Sequence, residues 1–313
     1  MKTNFEKMFN KENMPHANIF ISLDDVALSE ASLCFAKLVL CEHGGNDDCI
    51  VCKKIDHLNH ADVLVFPQEK DSIGVEEMLK VVEESYSLPY EGKAKVFVLK
   101  NFEKTMASAQ NKLLKTLEEP PKNVYYVLCA KNEMAILPTI MSRCQKFYLP
   151  KYDDEEVMKA ISDYDLSENR IKDVVGFCGG AIKLAKDYCE KENFFDIVDF
   201  CFKLFLEYKN SSKAILYAKT LYGLKEDFKL FLSIYNQIIR DVVNTKLGVL
   251  SEVRNKSRID DYEKIGKEFS YKALSEIAAY LTEINERLIR NCNQNIIVDN
   301  FLMKILEEKT KWQ

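Results

Sequence analysis

At 313 residues the chain is long enough for two or three domains, each with its own core. A hydrophobic share of 47%, a charged share of 30% and a formal charge of −5 exclude any global pull toward nucleic acid or an anionic membrane. No apolar run reaches the roughly 20 residues that span a bilayer. No apolar signal core follows Met1-Lys2-Thr3, so a cytoplasmic chain without membrane contact is expected.

The first 150 residues alternate short β-type runs with helical patterns, the rhythm of a parallel sheet covered by helices. Strands are predicted over Ile19–Ser22, Val63–Phe66, Val96–Leu99, Val124–Cys129 and Phe147–Leu149. Several are nearly all apolar, as burial on both faces requires. Helices are predicted over Leu28–Leu40 and Met106–Glu119. In the second, Met106, Ala109, Leu113 and Leu117 share one face, and Pro120-Pro121 stops the helix. Cys41, Cys49 and Cys52 cluster in an intervening polar loop. Strand signals largely cease after Pro150-Lys151-Tyr152. Residues 153–190 read as short amphipathic helices broken at Gly176 and Gly179-Gly180. Beyond them the pattern is helical: Phe194–Leu206, Ala214–Leu224, Phe228–Leu247, Tyr271–Ile289 and Ile296–Leu306. The expected fold class is therefore α/β plus all-α, with domains at 1–150, 151–190 and 191–313.

A nucleotide-binding α/β domain runs its first strand into a glycine-rich loop ending Gly-Lys-Ser/Thr. The loop's N–H groups wrap the phosphates and the hydroxyl holds magnesium. Here Asn18-Ile19-Phe20-Ile21 leads into Ser22-Leu23-Asp24-Asp25-Val26-Ala27-Leu28-Ser29-Glu30, with neither glycine nor lysine. The strand Val96–Leu99 ends in Lys100-Asn101, where a magnesium-binding strand would end in acids. Glu103, four residues past Leu99, reads as a solvated carboxylate at a helix start. No bound ATP is expected.

Around this vacancy stand Gln110-Asn111-Lys112-Leu113-Leu114-Lys115-Thr116-Leu117-Glu118-Glu119-Pro120-Pro121, Leu137-Pro138-Thr139-Ile140 and Ser142-Arg143-Cys144-Gln145. Over about residues 16–150 these blocks resemble the delta-prime subunit family of the bacterial DNA polymerase III clamp loader. The resemblance implies an AAA+ type sheet domain, a small helical lid and a C-terminal helical collar. It also implies partners: ATP-hydrolysing subunits and the delta subunit in a hetero-pentamer that loads a sliding clamp onto primed DNA. In that family the Ser-Arg-Cys arginine, Arg143 here, faces the nucleotide of the adjacent subunit. A guanidinium suits that task because it stays charged and presents a planar fork of donors. Pro138 can open a short helix that sets Arg143 near its far end, just before a strand. Cys144 is expected to pack and Ser142 to bond locally. Active members carry an arginine just after the glycine turn of the second domain; Ile182 stands about there, with Lys183 beside it.

The resemblance also implies a structural zinc held by cysteines after the first helix. Cys41, Cys49 and Cys52 remain, while Asn46 stands where another cysteine is expected. His43 is the nearest fourth ligand, with Asp47, Asp48 or His57 behind it. His60, in the family-like run Asn59-His60-Ala61-Asp62, is expected to be structural. Lys93, Lys95, Lys100, Lys104, Lys112 and Lys115 form a locally basic stretch, in which Lys104, Thr105 and Lys112 are candidates for sequence-blind phosphate contacts with DNA. Two other readings are an ATP-hydrolysing clamp-loader subunit with a degenerate loop and a cytosolic metalloenzyme using the cysteine loop. No clustered general base or open metal position supports the latter.

Overall fold

The structure, a computed structural model, describes residues 8–9, 14–45, 48–68, 71–290 and 292–311. The chain divides into two units, Met1–Glu156 with Ala181–Leu184, and Val157–Gly180 with Ala185–Gln313.

The first unit is built on five parallel strands, β1 (Ala17–Ile21), β2 (Val63–Phe66), β3 (Lys95–Leu99), β4 (Val124–Ala130) and β5 (Gln145–Tyr148), in the order β2-β3-β4-β1-β5. β1 lies between β4 and β5, with Ile19 beside Leu128 and Lys146. Alternation along the strands separates two cores. Ile19, Phe97, Leu99, Tyr126 and Leu128 pack with Met78 and Val81 of α3 (Val75–Ser85) and with Leu113 and Leu117 of α4 (Ala107–Glu118). On the other side Phe20 packs against Phe35 of α1 (Asp25–Leu40), with Phe9 and Phe147 completing an aromatic cluster at ring separations of 5.1–6.0 Å. Burial on both faces is why the inner strands β1, β3 and β4 read as largely apolar runs, while the edge strand β5, Gln145–Tyr148, is mostly exposed.

The five predicted strands are present, with ends shifted by one or two residues apart from β2, whose ends coincide. The polar loop around Cys49 contains a helix, α2 (Ile50–Asp56), that periodicity could not reveal: it is short and buries only Cys52 and Ile55. α3 was likewise not predicted, its buried stripe being just Met78, Val81 and Ser85. α5 (Pro138–Met141) does open on Pro138, as expected.

Beyond the sheet come α6 (Asp154–Ala160), α7 (Glu168–Cys178), α8 (Ile182–Glu190), α9 (Phe194–Glu207), α10 (Ala214–Gly223), α11 (Phe228–Lys246), α12 (Ile259–Glu268), α13 (Tyr271–Ile289) and α14 (Gln294–Lys311). α12 was not predicted. In the second unit an aromatic spine joins α9, α11 and α14: Phe205 stacks on Tyr235 at 4.0 Å, and Phe301 stands edge-on to Tyr235 at 5.3 Å. The segment before α12 ties α7 to this bundle. Buried Asp173 accepts from Asn255 Nδ2 at 2.8 Å and from Arg258 Nε and Nη2 at 3.0 and 2.6 Å. Buried Asp241 accepts from the backbone N–H groups of Arg254 and Asn255 at 3.2 and 3.3 Å. Burial pushes the Asp241 carboxyl above its ordinary value, and those two N–H groups oppose the shift.

Gly176 of α7 lies against Asn255, where an added Cβ would come within 2.5 Å of Asn255 Cβ and 2.9 Å of its Cα. Gly176→Ala would gain about 1 kcal/mol of helix propensity. Overpacking against backbone costs about 1–3 kcal/mol and displaces the Asn255–Asp173 bond as well. A net loss of about 1–2 kcal/mol is expected, read as a lower urea midpoint at unchanged slope. An equal or higher midpoint would show that the close approach is not structurally required.

Candidate functional site

Only Ser22, Leu23 and Asp24 separate β1 from α1. Asp24 caps α1, its Oδ1 accepting from Val26 N–H at 3.0 Å. The same carboxylate reaches the start of α8: Oδ2 accepts from Ile182 N–H at 2.6 Å and Oδ1 from Lys183 N–H at 3.3 Å. Asp24 is 4% exposed. A protein anion therefore satisfies the N–H groups at two helix starts, at the carboxyl edge of a parallel sheet where α/β folds ordinarily receive ligand phosphates. The Ile182 side chain is buried, and Lys183 is exposed.

Beside this turn lies a cavity of about 290 Å³ lined by Asp25, Asp71, Lys100, Lys104 and Lys131, among others. Its charges are partly internally matched, with Lys131 on Asp25 at 2.7 Å and Lys104 near Asp71 at 3.9 Å. Asn101, where a metal-binding acid would stand, adopts a left-handed backbone and donates to the Asp71 carbonyl at 3.1 Å. Glu103 is half-buried rather than solvated, and its Oε2 has no hydrogen-bond partner among the described residues.

Asp24→Asn keeps the size of the cap but removes its charge and turns one acceptor into a donor facing N–H groups. The folded state should lose about 1–3 kcal/mol, and amide exchange at Ile182 and Lys183 should accelerate. Unchanged protection at both amides would contradict the bridging role of this carboxylate.

Arg143 follows α5 and precedes β5. Cys144 beside it is 9% exposed, burial pushing its thiol up to about 12, while Ser142 Oγ donates to the Thr139 carbonyl at 3.1 Å. Arg143 itself is accessible, with a third of its side chain exposed. Its Nη1 donates to the Thr139 carbonyl at 2.8 Å and to Ser142 Oγ at 3.3 Å, and its Nη2 pairs with Glu118 at the end of α4. The site thus combines the ends of two helices with an outward-facing cation.

Cys41, at the end of α1, and Cys49 and Cys52, at the start of α2, bring their sulfurs within 4.8 Å of one another, with Cys41 and Cys49 at 3.6 Å. Three thiolates on one tetrahedral zinc, with bonds near 2.3 Å, stand about 3.8 Å apart, so the set fits such an ion. The Cys52 N–H donates to Cys49 Sγ at 3.4 Å. Burial pushes the Cys41 thiol up, but hydrogen bonds from the Gly45 and His43 backbone and from Cys49 and Cys52 outweigh it and leave the thiol below its ordinary value. Gly45, at φ +85°, lies where a Cβ would be 2.9 Å from the Lys37 backbone, a close approach that keeps the loop folded over α1. The expected fourth ligand, His43, is exposed and does not join the three sulfurs. Asn46 and Asp47 lie outside the described residues.

Lys104 and Lys112 are exposed, as a phosphate contact requires. Thr105 corrects the expectation: it is 3% exposed, and its hydroxyl is buried without a partner among the described residues. Lys95 also leaves the basic surface. It is wholly buried and bonds Glu84 Oε1 at 2.6 Å and Ser87 Oγ. His60 is buried and accepts from Asp62 N–H at 3.1 Å, while Asp62 gathers the N–H groups of Tyr90, Glu91 and Gly92 at 2.6–2.9 Å. That geometry gives the pair a structural role.

The parallel sheet in the order β2-β3-β4-β1-β5, covered by helices and followed by a helical part, is consistent with a domain of the AAA+ type. Residues 1–153 match the family model described as DNA polymerase III, delta subunit. A DNA polymerase III subunit delta′ of Bacillus subtilis is 29% identical over 160 residues, covering 50% of this chain and 49% of that one. A subunit delta′ of Yersinia pestis is 39% identical over 104 residues, 33% of this chain and 31% of that one. A subunit gamma of Buchnera aphidicola is 28% identical over 185 residues, 56% of this chain and 51% of that one. These matches, of which the family model's falls on the first half of the chain, support a delta-prime clamp-loader family protein. It spans about half the length, or less, of these curated relatives.

Proposed function

We propose that the chain is a non-hydrolysing delta-prime subunit of the DNA polymerase III clamp loader, supplying Arg143 in trans to the ATP site of a neighbouring subunit. The observation that carries this reading is the division within one sheet domain. Asp24 fills the polar helix ends where phosphates would bind, while a third of the Arg143 side chain remains accessible. An arginine placed at a γ-phosphate stabilises charge that develops in the transition state, and such groups are worth about 10³–10⁵ in rate. The partners are ATP-hydrolysing subunits and a delta subunit in a hetero-pentamer, acting with a sliding clamp on primed DNA in the cytoplasm. Residues 151–190 would be the lid and 191–313 the collar. Lys104 and Lys112 are the lysines placed to meet phosphates, in a contact that would weaken with salt.

In a complex reconstituted with ATP-hydrolysing subunits, Arg143→Ala should lower DNA- and clamp-stimulated hydrolysis at the facing site by about 10³. Arg143→Lys should not restore it, because an ammonium lacks the planar fork. An unchanged stimulated rate would sink the trans-acting reading. The resemblance to a gamma subunit favours a second reading, an ATP-hydrolysing subunit with a degenerate loop. Saturable ATP binding by the isolated chain would support it.

The three cysteines would hold a structural zinc that closes the α1–α2 loop, since their sulfurs fit one ion. Protein purified with zinc should carry about one ion per chain. Cys49→Ser should lose the ion and lower the melting temperature, and His43→Ala tests whether that ring supplies the fourth bond. Equal zinc content in wild type and Cys49→Ser would rule the site out.

A further inference from the structure

We infer that Glu118 is a positioning residue for Arg143, an inference that rests on the trans-acting reading above. The two sequence blocks that carry the family resemblance end within reach of each other. Glu118 is the last helical residue of α4, and Arg143 stands just beyond α5. A carboxylate at the C-terminal end of a helix faces the negative end of the helix dipole, an unfavourable place unless a cation compensates. Arg143 is that cation.

A guanidinium has five N–H donors in a fixed plane. Arg143 directs Nη1 to Thr139 O and Ser142 Oγ and one Nη2 donor to Glu118. Acceptors on two sides set the orientation of the plane, and among the described residues Nε–H and the second Nη2–H meet no acceptor, which leaves them for a ligand. The pair contributes little to stability, because its side chains are 34% and 49% exposed. Its effect lies in the arginine. A long, rotamer-rich side chain held in one orientation before a neighbour's phosphate arrives need not be ordered during the reaction. With Glu118 removed, Arg143 keeps its charge and loses its preset direction.

The test uses the reconstituted complex with ATP-hydrolysing subunits and five forms of this chain: wild type, Glu118→Gln, Glu118→Asp, Arg143→Ala and the double variant of Glu118→Gln with Arg143→Ala. Glu118→Gln should melt like wild type and lower the stimulated kcat about tenfold while leaving the KM for ATP unchanged. Glu118→Asp should recover part of the loss. The double variant should be no slower than Arg143→Ala alone, because Glu118 acts only through the arginine. Full activity in Glu118→Gln beside a slow Arg143→Ala overturns the positioning role while the trans-acting arginine stands. An equal further loss from Glu118→Gln in the Arg143→Ala background overturns it too. No loss in Arg143→Ala removes the trans-acting arginine, and the positioning role with it.

Discussion

The buried carboxylate of Asp24 is the constraint on which the sheet domain turns. An ionised acid that is 4% exposed is costly unless donors surround it. Here the donors are backbone N–H groups at the starts of α1 and α8, near position 25 and near position 182. Helix starts carry unsatisfied N–H groups that some acceptor must meet. In nucleotide-binding α/β folds phosphates can do so; in this chain a side chain does. The short turn after β1 follows from this arrangement, because a cap three residues past the strand leaves no span of backbone to wrap around a ligand.

The second unit depends on the same physics with a different geometry. Asp173 and Asp241 are both buried, and each is matched by groups from the 254–258 segment. Those bonds explain why residues 157–180 cluster with the long helices, although composition alone separates them at about 190. A half-satisfied network of this kind would destabilise the bundle more than an apolar contact of the same size. The Gly176 approach to Asn255 is the steric counterpart of that match.

Much of the sheet domain was legible in the sequence, and the reason differs by element. β3 and β4 announced themselves as apolar runs because both faces are covered, and α4 did so through its spacing and the prolines behind it. α2, α3 and α12 escaped notice because they are short and bury only two or three residues each. In the candidate site, Arg143 and the cysteines could be named from motif and spacing. The burial of Thr105 and Lys95 could not, since a threonine or lysine in a polar stretch gives no sign of which way it faces. The partner at Glu118 was hidden for a related reason: it lies 25 residues from Arg143, and the two meet only when the helix ends do.

By itself the sequence determined the chemistry that is present and missing: no phosphate-wrapping loop after β1, no acid after β3, an arginine in the Ser-Arg-Cys block and three cysteines at short spacing. These are statements about residue types along a line, which a line can carry. Tertiary structure alone decided that Asp24 bridges to residues 158 and 159 positions away, that Glu118 pairs with Arg143, and that the His43 ring is not grouped with the three sulfurs. Those pairings depend on where separate helices end in space, and the packing of the sheet and its helices sets that.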